Sequence, residues 1–398
     1  MLKIKNFIYR ICIFAYSFLM YLFVYRAYGG VSGFLAGFRT SIPFVPGSAV
    51  AYDAMLKRIS QAYFQAKAAQ GGVPAPYHLS GMWQGMIDSQ FSSLVAGLRD
   101  ADPSRLRALL ENFQREQFTF SCGGSAGDFH EISKSSLFKY EFYNTWTKYF
   151  NVYRDLAGQE NPGLEFPAIG NPAGMPVANQ IIPTEAIPYH YYALEIASVV
   201  RDIRAPVICE IGGGLGGQAY KTISAIGRRM QYILLDIPEV LVVSSYFLMT
   251  AFPEKKVLLF GETPDNTVVY DLVLMPHFCF PELGSDSVDL VFNSNSLSEM
   301  RADTAGEYLK QIGRVCRRYF MHINHNVRFV WREDGIETTN MRAIDMVPDV
   351  SRFKKVYQHS RAFFKIDDQI FYWRHGARHF AFLYERFWPE SAASELER

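Results

Sequence analysis

The sequence predicts an α/β fold: a doubly wound, mostly parallel sheet with an antiparallel C-terminal strand, preceded by an all-helical region. Three observations carry this. Beyond residue 183, short apolar runs alternate with stretches of helical periodicity, the pattern of repeated β–α units. The segment Val207–Gly217, V-I-C-E-I-G-G-G-L-G-G, reads as a buried parallel strand whose glycine turn opens a helix. Before residue 160, by contrast, apolar residues recur at helix spacing.

Taken in order, Ile11–Tyr25 is apolar or aromatic apart from Ser17, with Lys3, Lys5 and Arg10 before it and Arg26 after. As a helix this run covers about 22 Å, short of a ~30 Å hydrocarbon core. Counted from Phe7, with Arg10 snorkelling, it would reach further. Three readings stand: a helix packed on the protein, an anchor on the inner face of a membrane through residues 7–25, and a signal segment. A cytosolic cosubstrate, argued below, favours a cytoplasmic chain over the third.

After the glycine-rich stretch Gly29–Gly37, Tyr52, Met55, Leu56, Ile59 and Tyr63 mark one helix, and Phe91, Leu94, Val95 and Leu98 another. Asp102-Pro103 reads as the N-cap and first position of a third, with Leu106, Leu109, Leu110 and Phe113 as its stripe. The stretch Phe138–Tyr153 is rich in aromatics and carries Trp146. The proline- and glycine-rich passage Asn161–Pro183 marks a boundary. The expected organisation is therefore an apolar, glycine-rich segment (1–40), a helical region that receives or covers the acceptor (41–160), and a sheet domain (161–390).

Within that domain a helix is expected over Thr184–Val200, then the strand Val207–Ile211, a helix from about Gly217, and the strand Tyr232–Asp236. Strands follow at Val257–Phe260, Leu272–Met275 and Val288–Phe292, then a helix over Asp303–Arg318 and the strand Tyr319–Asn324. Two late strands, Phe363–Trp373 and His379–Phe387, joined by a turn at Gly376, would add the antiparallel edge, with Phe380, Phe382 and Tyr384 on one face.

Composition narrows the function. Forty basic side chains against 39 acidic ones give a net charge of +1, so bulk charge implies no nucleic-acid partner. Aromatics at 15% suit a substrate with flat apolar faces, such as a sugar ring. Five scattered cysteines, without C-x-x-C spacing, indicate neither a disulfide framework nor a zinc site. No H-x-x-x-H or paired-carboxylate spacing declares a metal site.

The glycines raise the question of which nucleotide is bound. Gly212, Gly214 and Gly217 satisfy the dinucleotide pattern G-x-G-x-x-G, while Gly212, Gly214 and Gly216 satisfy G-x-G-x-G with an acid, Glu210, two positions ahead. In a dinucleotide site that position lies inside the apolar strand, where an unpartnered carboxylate costs several kcal/mol. In S-adenosylmethionine (SAM) enzymes an acid there lies near the methionine end of the cofactor. Asp236, closing the next strand, is the expected acceptor for the ribose hydroxyls. Glu210 thus favours SAM over an NAD(P) or flavin site, which would make the chain an oxidoreductase. The expected cofactor shell is Glu210, Gly212, Gly213, Gly214, Gly216, Asp236 and Ile237, with Met275, Pro276, Asn293 and Ser294 from the later strand ends.

The chain resembles the sugar O-methyltransferase family of SAM-dependent enzymes. The matching pieces are I-G-N-P at Ile169–Pro172, E-I-G-G-G-L-G-G at Glu210–Gly217, L-D-I-P-E at Leu235–Glu239 and F-N-S-N-S-L-S-E-M at Phe292–Met300. The stretch ending L-L-E-N-F at Leu109–Phe113 is similar too, so the resemblance spans roughly residues 80–390. It implies a Rossmann-like class I methyltransferase sheet and methyl transfer from SAM to a hydroxyl of a saccharide or glycan precursor, as in polysaccharide biosynthesis. Another small molecule, a polyketide or a phenol, is the competing acceptor.

Methyl transfer to a poor nucleophile needs positioning and a general base or a metal. In an open parallel sheet such groups lie beyond the carboxyl ends of the strands. That criterion selects Glu299, His325 and His277 as catalytic candidates, no metal ligands, and Asn293–Ser296 as the meeting point of cofactor and acceptor. A capping cluster, a solvated helix residue and loop histidines are the plainer readings of the same positions. Tyr189, His190, Tyr191, Tyr192 and Trp146 either roof the cofactor or form a packing face. His322 reads as core, and Arg374, His375, Arg378 and His379 as a basic cluster at a hairpin turn.

Overall fold

A computed structural model describes residues 2–23, 30–41, 49–100, 103–120, 122–125, 129–130, 139–157, 163–177, 180–333, 335–360 and 379–387. The helical region begins with α1 (Leu2–Phe23), α2 (Gly30–Arg39) and α3 (Ala49–Gln70), followed by α4 (Gly81–Gln90), α5 (Ser92–Arg99), α6 (Pro103–Glu111) and α7 (Lys139–Ala157). Helix α1 packs on α7: Tyr140 meets the rings of Phe14, Phe18 and Tyr21 at 5.1–5.6 Å, and Asn144 donates to the Ser17 carbonyl at 2.8 Å. No helix among the described residues is long and apolar enough to cross a membrane. Trp146 lies on the packing side of its two readings, fully buried, stacked on Phe150 and donating to the Ile182 carbonyl.

A hairpin of β1 (Met175–Val177) and β2 (Gln180–Ile182) and the helix α8 (Ala186–Val199) lead into the sheet. Then come β3 (Val207–Ile211), α9 (Gly217–Ile226), β4 (Gln231–Asp236), α10 (Pro238–Ala251), β5 (Val257–Leu259), β6 (Leu272–Pro276) and β7 (Val288–Ser294). The short α11 (Ser296–Glu299), α12 (Ala302–Val315), β8 (Cys316–His325), the hairpin β9 (Val330–Glu333) and β10 (Ile336–Thr339), β11 (Phe353–Ser360) and β12 (His379–Arg386) complete the chain. The eight-stranded sheet has the order β11-β12-β8-β7-β3-β4-β6-β5, parallel except for β12. This is the Rossmann-like, class I methyltransferase arrangement expected from the sequence, one strand reversed near the C-terminal edge. From β3 the chain first adds strands on one side and later, with β7, on the other. The crevice outside β3 is the topological switch point where such sheets bind ligands.

The strand expected at Phe363–Trp373, the turn at Gly376, the cluster Arg374, His375 and Arg378, and Asp102 all lie outside the described residues, while β11, Phe353–Ser360, is a strand the sequence reading did not anticipate. The helix expected to reach Arg318 stops at Val315, because Cys316–Arg318 already belong to β8. Phe382 and Tyr384 share a face, as expected, and it is buried and stacked with His322.

Apolar cores cover both faces of the sheet. One joins α12, the Phe278–Phe280 turn and the Phe320, Phe382 and Tyr384 face. The other runs without a break from Val31 in α2 through α3, α7 and α10 to Leu383 in β12. Polar ties reinforce it: Arg58 clamps Glu262 with two hydrogen bonds of 2.7 and 3.0 Å, Lys67 pairs with the buried Glu239 at 2.9 Å, and the Tyr52 and Tyr246 hydroxyls meet at 3.2 Å.

Candidate functional site

Where β3 ends, the glycine turn and the ends of β4 and β7 border a chamber with two lobes. Trp83, Gly212, Asp236 and Ser296 line both. The polar lobe, about 920 Å³ including its open mouth, is lined by Glu210, Gly213, Gly214, Gln218, Ser294, Asn295 and Glu299 from the sheet region. Cys122, Gly123, Glu185, Tyr189 and Tyr192 close it from the side of the helical region and α8. The second lobe, about 630 Å³, is largely apolar and is walled by Pro76, His78, Leu79, Ser80, Ile211, Leu235, Ile237, His277, Met300, Thr304 and Tyr308. Both volumes fall within the range of small-molecule sites.

Besides Glu185, three carboxyl groups face this space. Glu210 is buried and accepts a hydrogen bond from the Tyr232 hydroxyl at 2.8 Å; burial pushes its pKa up to about 8, and nearby Asp236 adds to the push. Asp236 accepts from the Gly214 and Ile237 amides at 2.8 and 2.7 Å, yet burial still raises it to about 7. Glu299, one turn beyond β7, is raised to about 7 by burial and by Asp236. A cluster of this kind disfavours its own negative charge and would be relieved by a cationic ligand. Among the described residues no group of His, Cys, Asp and Glu is placed to hold a metal ion.

The glycine turn is sealed by protein as well as open to a ligand. Gly214 has φ +55°, and a Cβ there would stand 2.4 Å from the Cys122 carbonyl oxygen. The next amide, Leu215 N–H, donates to that same carbonyl at 2.9 Å. Tyr189 donates its hydroxyl to the Gly123 carbonyl, holding the 122–123 backbone over the turn. A dinucleotide pyrophosphate needs these amides at the helix N-terminus. Here one is spent on Cys122, and three carboxyl groups lie close by, so the residues do not fit an NAD(P) or flavin dinucleotide.

Of the expected cofactor shell, Glu210, Gly212, Gly213, Gly214, Asp236, Ile237 and Ser294 line the chamber. Gly216 caps α9 and packs toward Leu248 instead. Met275 and Pro276 do not line it; Met275 packs against the second core, and His277 occupies the wall. Asn293 does not line the chamber either. It is fully buried, donating to the Ile211 carbonyl and Ser296 and accepting from Asn324, so its polar groups brace strand ends.

The catalytic candidates separate in space. Glu299 lines the polar lobe. His277 lines the apolar lobe, its Nε2 donating to the Tyr77 carbonyl at 2.9 Å, and burial keeps the ring neutral by lowering its pKa. His325 lines neither lobe; its ring lies against Phe329 and His379, and burial lowers its pKa too. His322 is core, stacked on Phe382 at 4.8 Å and driven to a pKa of about 3 by burial. Tyr189 and Tyr192 line the chamber, whereas His190 turns to Tyr153 and Tyr191 to Glu195. Sequence reasoning did not find Trp83, Tyr308, Gln218 or the Cys122 carbonyl. A serine N-cap at Ser80 signals the start of α4, but nothing local ties Trp83 to a strand more than a hundred residues away.

No protein-family model matches the chain, and no curated protein matches it. Solved structures do. Magnesium protoporphyrin IX methyltransferase from Synechocystis, determined with bound S-adenosylhomocysteine, is similar at 10% identity over 51% of this chain and 85% of that one, TM-score 0.33. Phosphoethanolamine N-methyltransferase 2 of Haemonchus contortus, in complex with phosphomonomethylethanolamine and S-adenosylhomocysteine, is similar at 11% identity over 48% and 52%, TM-score 0.32. Burkholderia thailandensis 1,6-didemethyltoxoflavin-N1-methyltransferase, with bound 1,6-didemethyltoxoflavin and S-adenosylhomocysteine, is similar at 12% identity over 50% and 78%, TM-score 0.32.

Proposed function

We propose that the chain is a SAM-dependent O-methyltransferase acting on a hydroxyl of a saccharide or glycan precursor. The observation that carries the reading is the cluster of three carboxyls with raised pKa, the buried Glu210 and the half-buried Asp236 and Glu299, around the glycine turn at the sheet's switch point. SAM offers that cluster a sulfonium and an ammonium, and supplies an electrophilic methyl group. Asp236 would accept from the ribose hydroxyls and Glu210 would face the amino-acid end. The apolar lobe, with Ile237 and the neutral His277 in its wall, suits an adenine ring.

For the acceptor, Trp83, Tyr189 and Tyr192 supply flat apolar faces beside carboxylates that can take hydrogen bonds from hydroxyls. Glu299, as a carboxylate, would remove the proton of the attacking hydroxyl. Calorimetry with S-adenosylhomocysteine tests the cofactor half: binding is expected, and its loss in Glu210→Gln and Asp236→Asn. Silent titrations with the intact chain would end the SAM reading. Labelled SAM offered with cell-derived glycans and nucleotide sugars tests the acceptor half. Label appearing in phenolic or polyketide products instead would replace the sugar.

A further inference from the structure

Helix α1 has a second face. While Phe14, Phe18 and Tyr21 turn toward α7, Ile11, Ala15, Leu19, Leu22 and Phe23 fall on the opposite flank at i, i+4, i+8, i+11 and i+12. That flank is open, with Ile11 48%, Leu19 52% and Phe23 80% exposed, and no residue from Ile11 to Phe23 is charged. The surrounding sequence is one-sided in charge: Lys3, Lys5, Arg10, Arg26 and Arg39 come before the first acidic residue, Asp53. An uncharged apolar flank whose neighbouring sequence carries cations and no acid is the pattern of a helix lying in the headgroup layer of an anionic bilayer. A second copy of the chain would also cover the apolar side chains, but it would bring two cationic segments together. We propose that this flank of α1 seats the chain on an anionic membrane surface, parallel to it and without crossing it. The proposal rests on this face and is independent of the methyl-transfer reading.

Flotation of the full chain with phosphatidylcholine vesicles, with and without phosphatidylglycerol, tests it. Binding is expected only with phosphatidylglycerol, weakening at least about tenfold at high salt. Leu19→Glu with Phe23→Glu should lower vesicle binding at least about tenfold, with circular dichroism and melting temperature unchanged because both side chains are exposed. Lys3→Glu with Lys5→Glu, which leaves the apolar flank intact, should remove the preference for phosphatidylglycerol. Equal binding by wild type and the Leu19→Glu/Phe23→Glu variant, or no binding to anionic vesicles, would overturn the proposal. So would a dimer, seen by sedimentation, that the same variant dissolves while vesicles are ignored.

Discussion

Glu299 sits where burial, rather than a hydrogen-bonding partner, sets its proton affinity, and that placement gives it a pKa of about 7. A general base works as the carboxylate, so turnover should rise as pH climbs through 7 and level off above it. Glu299→Gln should cost 10²–10⁴ in kcat, abolish that rise, and leave S-adenosylhomocysteine affinity nearly unchanged; an unaltered pH–rate profile in the variant would remove Glu299 from the chemistry. The same cluster makes a second prediction, about stability. A carboxyl whose folded pKa lies above its unfolded value of about 4 holds its proton more tightly when folded. Its contribution is complete below that value and is lost as pH rises through the folded pKa, which is about 7 for Asp236 and Glu299 and about 8 for Glu210. The buried neutral histidines act in the opposite sense, with their contribution complete above about pH 6.5. The ligand-free protein should therefore lose melting temperature between pH 6.5 and 8, with a shallower loss in Glu210→Gln. S-adenosylhomocysteine, which carries the ammonium but no sulfonium, should stabilise less than SAM at pH 8.

At the scale of elements, the segments quoted from I-G-N-P and L-L-E-N-F meet one another. Asn171 donates to Asn112 at 2.9 Å, the Gln114 amide donates to the Gly170 carbonyl, and the Phe113 ring lies where a Gly170 Cβ would stand, 2.1 Å away. Gly170 also has φ +73°. Gly170→Ala should cost about 2 kcal/mol or more in urea melts, from left-handed strain and overpacking together; a neutral result would mean that the loop yields freely. Contact between two such distant pieces is invisible to periodicity, and the same limit governs what could be read elsewhere. β3 and β4 were legible because they are buried on both faces and read as continuous apolar runs. β11, F-K-K-V-Y-Q-H-S, was not: it is an edge strand, and its lysines and exposed Val356 mask the alternation. The end of α12 was overrun because the chain passes from helix to strand at Val315–Cys316 without glycine or proline. In the site, Glu210, Asp236 and the glycines sit in contiguous motifs. Trp83 reaches them only through the packing of the helical region, and the Cys122 contribution is a backbone carbonyl, which residue type does not announce.

The molecule as a whole behaves as one packing unit across the boundary that the proline- and glycine-rich passage suggests. Helix α10 shows why. Every residue from Pro238 to Leu248 is buried, so the helix is enclosed on all sides rather than amphipathic. The sheet covers one side and α3 much of the other, through Tyr52 on Tyr246, Lys67 on Glu239 and the apolar side chains of Ile59 and Tyr63. Removing the helical region would expose those apolar side chains and leave Glu239 buried or newly wetted without its cation. It would also strip Trp83 and the Cys122–Gly123 backbone from the chamber. A chain reduced to residues 161–398 should therefore bind ANS, lose its cooperative thermal transition, and fail to bind S-adenosylhomocysteine, the behaviour of a state whose specific packing is gone. Cooperative melting together with full-length affinity in that fragment would show that the helices are an appendage and that the sheet alone builds the cofactor site. Cooperative melting with weakened affinity would separate the two roles, leaving the helices as the roof but not the support.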